Sequence, residues 1–233
     1  MQYNTKLITG IILVLVFGLA TGCKNNSSKK LSEGTITYSV TYLTKPQETP
    51  VVAMLPRKMV TQFKNNNTIT TVKGHFNYFE FTFITKYSER TKYTLLRILD
   101  NKYVYKSSLD EPPIGWDKNC KIEIFKTDST TIFNNLHCKV AKVYCPKIDK
   151  DTFDILYTND INVKSPNTNN LYKDIDGVLV RGKLELIGIV MLVEIKEIDS
   201  EPVDDKVFEV PADYKPISRD SLEAILKSFE YKK

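Results

Sequence analysis

The sequence has few of the residues that most often carry chemistry. Its 233 residues include two histidines, four cysteines and one tryptophan. It contains no G-x-S-x-G, H-E-x-x-H or Cys-x-x-Cys motif and no glycine-rich phosphate loop. We therefore expect neither an enzyme nor a bound cofactor.

The histidines and acidic pairs do not predict a metal site. His75 and His137 fall on separate predicted strands, without ligand spacing to cysteine or aspartate. His137 and Cys138 are neighbours, and neighbours on a strand point to opposite faces of the sheet. Asp204 and Asp205 form the remaining candidate pair for a cation, but their position just before Phe208 favours a solvated turn. We expect no metal.

Large charged blocks are also absent. Lys and Arg total 33 against 28 for Asp and Glu, a net charge of +5 that is spread along the chain. Clustered basic residues, which nucleic-acid binding requires, are missing. Residues 24–30 are a short polar segment that we interpret as a solvated tether.

The apolar run at the N-terminus is too short to cross a membrane. Residues 8–20 fall well below the roughly 20 residues that a transmembrane helix needs. They follow Lys6 and precede Thr21-Gly22-Cys23, the pattern of a bacterial lipoprotein signal peptide, although Ala20 stands where Leu is usual. We expect residues 1–22 to be removed and acyl chains such as palmitate to be attached to Cys23.

The residues after Cys23 predict a location. Lys24 is not the aspartate that retains lipoproteins in the inner membrane of enteric bacteria, and residues 24–30 lack an acidic surface-export signal. We expect a lipid anchor in the outer membrane, with the protein facing the periplasm. Residues 23–32 would be the lipidated tether and residues 33–233 a single domain.

Three other cysteines raise the question of a disulfide. Cys138 and Cys145 lie on one predicted strand, where a separation of seven places them on opposite faces and roughly 23 Å apart. That distance excludes a bridge between them. A bridge from Cys120 to Cys138 or to Cys145 stays open, as does a buried, inert Cys120 thiol.

Period-2 alternation dominates the rest of the chain. Residues 35–43 place Ile36, Tyr38, Val40 and Tyr42 on one face and polar residues on the other. Further strands are predicted at residues 58–64, 68–73, 75–85, 92–99, 102–106, 118–126, 137–145, 152–158, 178–187 and 189–198. About ten or eleven strands with hairpin-length connections predict an all-β fold, a curved antiparallel sheet that forms a half-open barrel.

Two segments depart from this pattern. Residues 159–172 are the longest predicted loop inside the domain, and residues 128–135 are predicted to connect a hairpin. Residues 218–229 predict a C-terminal helix, because Leu222, Ile225, Leu226 and Phe229 recur at helical spacing and Ser218 is a suitable N-cap. We expect this helix to pack on one face or mouth of the sheet.

Four short stretches resemble a family of Bacteroidota lipoproteins, a domain family of unknown function. They are EGTITYSVTY from Glu33, LLRILDNKYVY from Leu95, NLHCKVAKV from Asn135 and EPVDDKVFEVPADYKPIS from Glu201. The resemblance implies the half-open barrel of periplasmic lipoprotein carriers, with an apolar concave face. It implies no catalytic residues.

Aromatic residues are abundant, with 13 Tyr and 11 Phe. They indicate either ordinary core packing or an unfilled apolar cavity that binds a lipid-like ligand without changing it. Tyr38, Tyr42, Phe79, Phe81 and Phe83 are the predicted lining residues. The alternative is an anchored interaction module of an envelope complex, with an unspecified protein partner and no cavity. A deep pocket favours the first hypothesis, and a long exposed edge strand favours the second.

Overall fold

A computed structural model describes residues 30–43, 55–74, 78–115, 121–186 and 188–229. In this part of the chain the strands form one curved sheet that does not close, which confirms the predicted half-open all-β fold. The strands are β1 Glu33–Tyr42, β2 Lys58–Lys64, β3 Asn67–Lys73, β4 Phe79–Lys86, β5 Thr91–Ile98, β6 Asn101–Ser108, β7 Glu123–Phe133, β8 Leu136–Tyr144, β9 Phe153–Thr158, β10 Val178–Leu186, β11 Ile189–Asp199 and β12 Lys215–Pro216. The two-residue β12 is the strand that alternation does not predict, since it is too short to show a period.

The sheet is built outward from β1. Its order is β12-β6-β5-β4-β3-β2-β1-β11-β10-β9-β8-β7, and every pairing is antiparallel except that of β12 with β6. Strands β2 to β6 follow on one side of β1, while β11 to β7 lie on the other. The chain therefore leaves β6 near one edge and enters β7 at the opposite edge, so its connection has to cross the sheet.

Asparagine pairs with left-handed backbone conformation form the turns of two tight hairpins. Asn65 and Asn66 have φ of 51° and 67°, and Asn134 and Asn135 have φ of 47° and 62°. Positive φ at both central residues defines the type I′ turn, whose twist matches that of paired strands. The second turn corrects the predicted 128–135 loop: β7 continues to Phe133 through a bulge between Lys126 and Thr130.

Both faces of β4 are covered. Residues 81–85 of β4 are all buried, whereas simple alternation predicts that every second residue is exposed. The inner face of β4 packs under the C-terminal helix, whereas its outer face packs under Val203 and Phe208 of the segment that follows β11. Asp204 caps the 3-10 turn Asp205–Phe208 of that segment by accepting from the Lys206 N–H at 3.0 Å.

The C-terminal helix, α1, spans Arg219–Ser228. Ser218 is its N-cap, as predicted, and accepts a hydrogen bond from the Ser221 N–H at 3.2 Å. Leu222 and Leu226 are buried in an inner-face cluster with Phe81, so α1 covers the β4–β5 part of the concave face. The apolar stripe weakens at its end, because Phe229 is 52% exposed.

The cysteine geometry differs from the prediction in one respect. Cys138 and Cys145 are both buried in the same core cluster rather than on opposite faces. The buried positions on β8 change phase between Cys138 and Ala141, opposite the bulge in β7. Cys120 lies outside the described residues, so both alternatives from the sequence, a bridge to one of these cysteines or a buried thiol, stay open.

Candidate ligand cavity

The concave face of the sheet carries an apolar cavity of about 560 Å³. It runs along β1 from Ile36 to Tyr42, about 20 Å at the rise of an extended strand. Inward-facing residues of β1 to β5, β10 and β11 form its wall, because alternate residues of each strand point to this face. Its volume is within the range of ~300–1,000 Å³ that is usual for small-molecule sites.

Tyr38 and Tyr42 line the cavity with their rings and bond to backbone through their hydroxyls. The Tyr38 hydroxyl donates to the Leu179 carbonyl at 3.0 Å, and the Tyr42 hydroxyl donates to the Pro56 carbonyl at 2.5 Å. Burial raises the pKa of Tyr38 and raises the pKa of Tyr42 to about 12. Both phenols are therefore neutral at physiological pH and fix the rings against the wall.

The three phenylalanines of β4 stack along the inner face, but only two of them line the cavity. Phe79 and Phe83 are among the lining residues. Phe81, also predicted to line it, is fully buried between them and α1, with its ring centroid 4.5 Å from that of Phe83. The difference arises because α1 covers the middle of β4, which the strand pattern alone does not indicate.

Residues 159–177, which we call the strap, close one end of the cavity. Within the strap, the Asn167 side-chain amide donates to the carbonyls of Ile175 and Gly177, both at 2.9 Å. Tyr172 is fully buried, and its hydroxyl donates to the Lys183 carbonyl of β10. Asn167, Asn169 and Asn170 all line the cavity. The sequence marks the strap only as a long polar loop, so these residues were missed as site residues.

The strap is held to the opposite wall by a cross-strand pair. Thr85 of β4 and Lys92 of β5 are direct partners in the sheet. Thr85 Oγ1 accepts from the Asn169 amide at 2.9 Å, and Lys92 Nζ donates to the Thr168 carbonyl at 3.1 Å. The strap thus spans from β9 and β10 to the β4–β5 wall.

Lys92 also joins the crossover segment, residues 109–115, to the sheet. Its Nζ donates to the Glu111 carbonyl at 2.6 Å, and Glu111 Oε1 accepts from Tyr105 at 2.6 Å and from Arg219 at 2.5 Å. Burial lowers the pKa of Lys92 to about 8, although nearby Glu111 opposes this shift. Hydrogen bonds from Tyr105 and Arg219 keep the pKa of Glu111 below its ordinary value despite burial. This polar cluster fixes α1 and the crossover segment over the sheet.

The crossover segment reaches the cavity wall at a glycine. Gly115 has φ of +83°, and a Cβ there would lie 2.7 Å from Cδ1 of Leu186. A larger residue would therefore strain the backbone and displace Leu186, which lines the cavity.

The end of the cavity away from the strap is its mouth. Tyr78, Leu99 and Phe229 line the cavity there and are 50%, 55% and 52% exposed. The Leu99 N–H donates to the Tyr78 carbonyl at 2.8 Å, so two of these residues are fixed together. We call these three residues the rim. Their exposure shows that the cavity meets solvent at the mouth.

His137 and Cys138, which were also considered from the sequence, do not line the cavity. His137 is exposed and its Nδ1 lies 3.2 Å from Asp160 Oδ2, while Cys138 beside it is buried, so the two point to opposite faces as expected. No cluster of three or more metal-ligating side chains occurs among the described residues. His75 and Cys23 lie outside them. No helix in the described ranges is long and apolar enough to span a membrane.

Strand β7 forms the opposite edge of the sheet. It spans 11 residues, and in the described part of the chain it pairs only with β8. Phe125 and Ile132 on it are 51% and 71% exposed. A bulge, together with Lys126 and Asp128, interrupts the strand, and such features protect natural sheet edges from unspecific pairing.

Comparisons with known proteins define the fold and no more. No family model matches the chain, and no curated protein matches it. A solved structure of PNGF-II in space group C2 is similar, with a TM-score of 0.53 and 14% identity. The match covers 83% of this chain but 32% of the PNGF-II chain. The likeness shows a shared fold over about a third of the longer PNGF-II chain.

Proposed function

We propose that this protein is a lipid-anchored envelope protein that binds a lipid-like apolar ligand without changing it chemically. The observation that carries the proposal is the apolar cavity of about 560 Å³ on the concave face. The cavity extends about 20 Å along β1, which suits the length of an extended acyl chain, and it opens to solvent at an apolar rim. Its described lining offers apolar, hydroxyl and amide groups, which suit binding better than bond cleavage.

The anchor is part of the proposal and rests on the sequence. Cys23 would carry acyl chains and hold the protein in the outer membrane, facing the periplasm. The described chain begins at Lys30, where Leu31 bridges the strap at Ile161. The tether thus joins the domain at the strap end, and the mouth lies at the far end of β1.

The anchor is tested by replacing the modified thiol. In Cys23→Ser, the signal peptide should remain uncleaved, and intact-mass measurement should give the full-length chain. The wild-type protein should fractionate with membranes and carry the added mass of acyl chains. A mutant processed normally before residue 23 would indicate an ordinary secretory signal and exclude the lipoprotein.

The resemblance to the Bacteroidota lipoprotein family supports the same proposal. Its implied half-open barrel is compatible with the open sheet that the strands form.

The cavity is tested by filling it. Val72 of β3 lines the cavity and is half-buried, and Val60 of β2 lies on the other face. Val72→Phe should reduce the lipid that copurifies with the protein and the fluorescence of an added apolar dye, because the added ring occupies the cavity. Val60→Phe is the matched control and should leave both unchanged. Retention of lipid by Val72→Phe at the wild-type level would contradict ligand binding in this cavity.

The interaction module remains the second candidate, because β7 is the long exposed edge strand that this hypothesis requires. Lysine at Ile132 would block edge pairing and leave the cavity intact, since Ile132 is 71% exposed and lies on β7. Loss of a biological phenotype with Ile132→Lys, but not with Val72→Phe, would favour the module over the carrier.

A further inference from the structure

The threonine and asparagine side chains that line the cavity lie at one end. Thr68, Thr61 and Thr70 line it near the strap, where Asn169 and Asn170 also reach it. In the sheet register, Thr68 pairs with Phe63, and Thr70 pairs with Thr61, which in turn pairs with Ile36 of β1. These threonines therefore lie toward the strap end of their strands. Toward the mouth the lining changes to Met59, Val72, Phe79 and then the rim, where the phenols of Tyr42 and Tyr78 are the polar side chains and that of Tyr42 donates to the Pro56 carbonyl.

The described part of the cavity lining carries no formal charge. None of the described lining residues is Asp, Glu, Lys, Arg or His, and the lining phenols of Tyr38 and Tyr42 are neutral. Lys92 lies beyond the polar end, but it does not line the cavity and already donates to two backbone carbonyls. A carboxylate or phosphate placed at the polar end would lose its hydration without gaining an ion pair, which is unfavourable.

We infer that the ligand is a neutral amphiphile, bound with its uncharged hydroxyl or ester end at the strap and its acyl chain toward the mouth. This inference rests on the proposed function, because it specifies the ligand of the same cavity. The shared chemistry is an alkyl chain that ends in uncharged hydrogen-bonding groups.

A threonine pair is the recognition element. Thr61 and Thr70 are direct cross-strand partners, and their hydroxyl oxygens lie 2.8 Å apart. One hydroxyl donates to the other, which leaves one O–H and several lone pairs for a neutral ligand. The pair can therefore donate to a ligand oxygen and accept from a ligand hydroxyl without any charge.

A second threonine pair on the other face supplies a matched control. Thr82 Oγ1 lies 3.3 Å from Thr71 Oγ1 and 3.4 Å from Glu80 Oε1, and Thr71 and Thr82 are also cross-strand partners. Replacing both members of a pair by valine keeps the side-chain shape and leaves no lone buried hydroxyl, so both double variants should fold. Circular dichroism verifies this before binding is measured.

The test uses the processed full chain, extracted from membranes in the steroid detergent CHAPS. Monopalmitoylglycerol and palmitate are added together at pH 8, where palmitate is ionised in water. Native mass spectrometry counts the bound species, which share the same acyl chain and differ in mass. We expect monopalmitoylglycerol to bind at least about tenfold better than palmitate. Thr61→Val/Thr70→Val should weaken it about three- to tenfold, and Thr71→Val/Thr82→Val should not.

Three results would contradict these expectations. Preferential binding of palmitate would overturn the neutral-ligand inference while leaving the proposed function intact. An equal loss in both threonine double variants would also overturn it, because the effect would not come from the cavity face. Retention of neither lipid by a folded protein would remove the proposed function itself.

Discussion

The two halves of the concave face have the same strand pattern but are filled differently. On the β8 and β9 side, Ile161, Tyr172 and Ile175 of the strap pack onto the sheet and complete a continuous core. On the side formed by β1 to β5, β10 and β11, the inward residues face the cavity or, further along β4 and β5, α1. The β2–β3, β4–β5 and β5–β6 turns are too short to fold back over their own strands. The cavity lies where neither the strap nor α1 fills the inward face.

The largest expected effect comes from removing the cover of the unfilled half. Deleting residues 218–233 would expose Phe81 and Leu96 and remove the buried Leu222 and Leu226. Each of these two side chains contributes ~1.5–3 kcal/mol, a large share of the 5–15 kcal/mol that stabilises a typical domain. We expect a large drop in the midpoint of thermal unfolding followed by circular dichroism. A truncated protein that melts at the wild-type temperature would show that α1 does not cover a core.

A smaller effect should separate the two halves directly. Ile155 of β9 is fully buried in the packed half, and Ile155→Ala should lower the free energy of unfolding by about 2–5 kcal/mol. Met191 of β11 lines the cavity and is half-buried, so Met191→Ala enlarges an existing space and should cost about 1 kcal/mol or less. Urea unfolding of both variants measures the contrast. Equal losses would mean that the cavity half is as tightly packed as the other.

The smallest expected effect concerns Lys92, whose hydrogen bonds join β5 to the strap and to the crossover segment. Burial lowers the pKa of Lys92 to about 8, whereas an unfolded lysine titrates near 10.4. Between these values the unfolded chain binds more protons, so the free energy of unfolding should rise with pH. Lys92→Met should flatten this rise between pH 8 and 9.5, a window below the titration of tyrosine.

Lys106→Met, at an exposed position on β6, is the control for the pH dependence of the free energy of unfolding. Urea midpoints at several pH values give the slopes for wild type and both variants. A slope unchanged by Lys92→Met would mean that the lysine is solvated and does not bind the strap through a desolvated ammonium.

Much of the fold can be predicted from patterns among residues that are close in the chain. The alternation of Ile36, Tyr38 and Val40 predicts which face of β1 is buried, and the structure confirms it. Ser218 and Leu222 likewise predict where α1 begins and which side it buries. The end of β7 was placed wrongly, because a bulge interrupts the period and Asn134-Asn135 alone forms the turn.

Fewer of the cavity residues could be predicted from such patterns. Tyr38, Tyr42, Phe79 and Phe83 line the cavity, and strand alternation is sufficient to place them on its face. Phe81 shares that face, yet α1 covers it, and no local pattern reports contacts between segments far apart in the chain. The strap asparagines were missed for the same reason.

By itself, the sequence determined the strand periods, the caps and turns, and the absence of a catalytic motif, because each depends on residues near one another in the chain. Only the tertiary structure decided which part of the inward face is filled. That outcome depends on where the strap and α1 dock, through Asn169 to Thr85, Lys92 to Thr168 and Arg219 to Glu111. Such contacts join residues up to 108 positions apart, and it is their geometry that leaves the space where a ligand would bind.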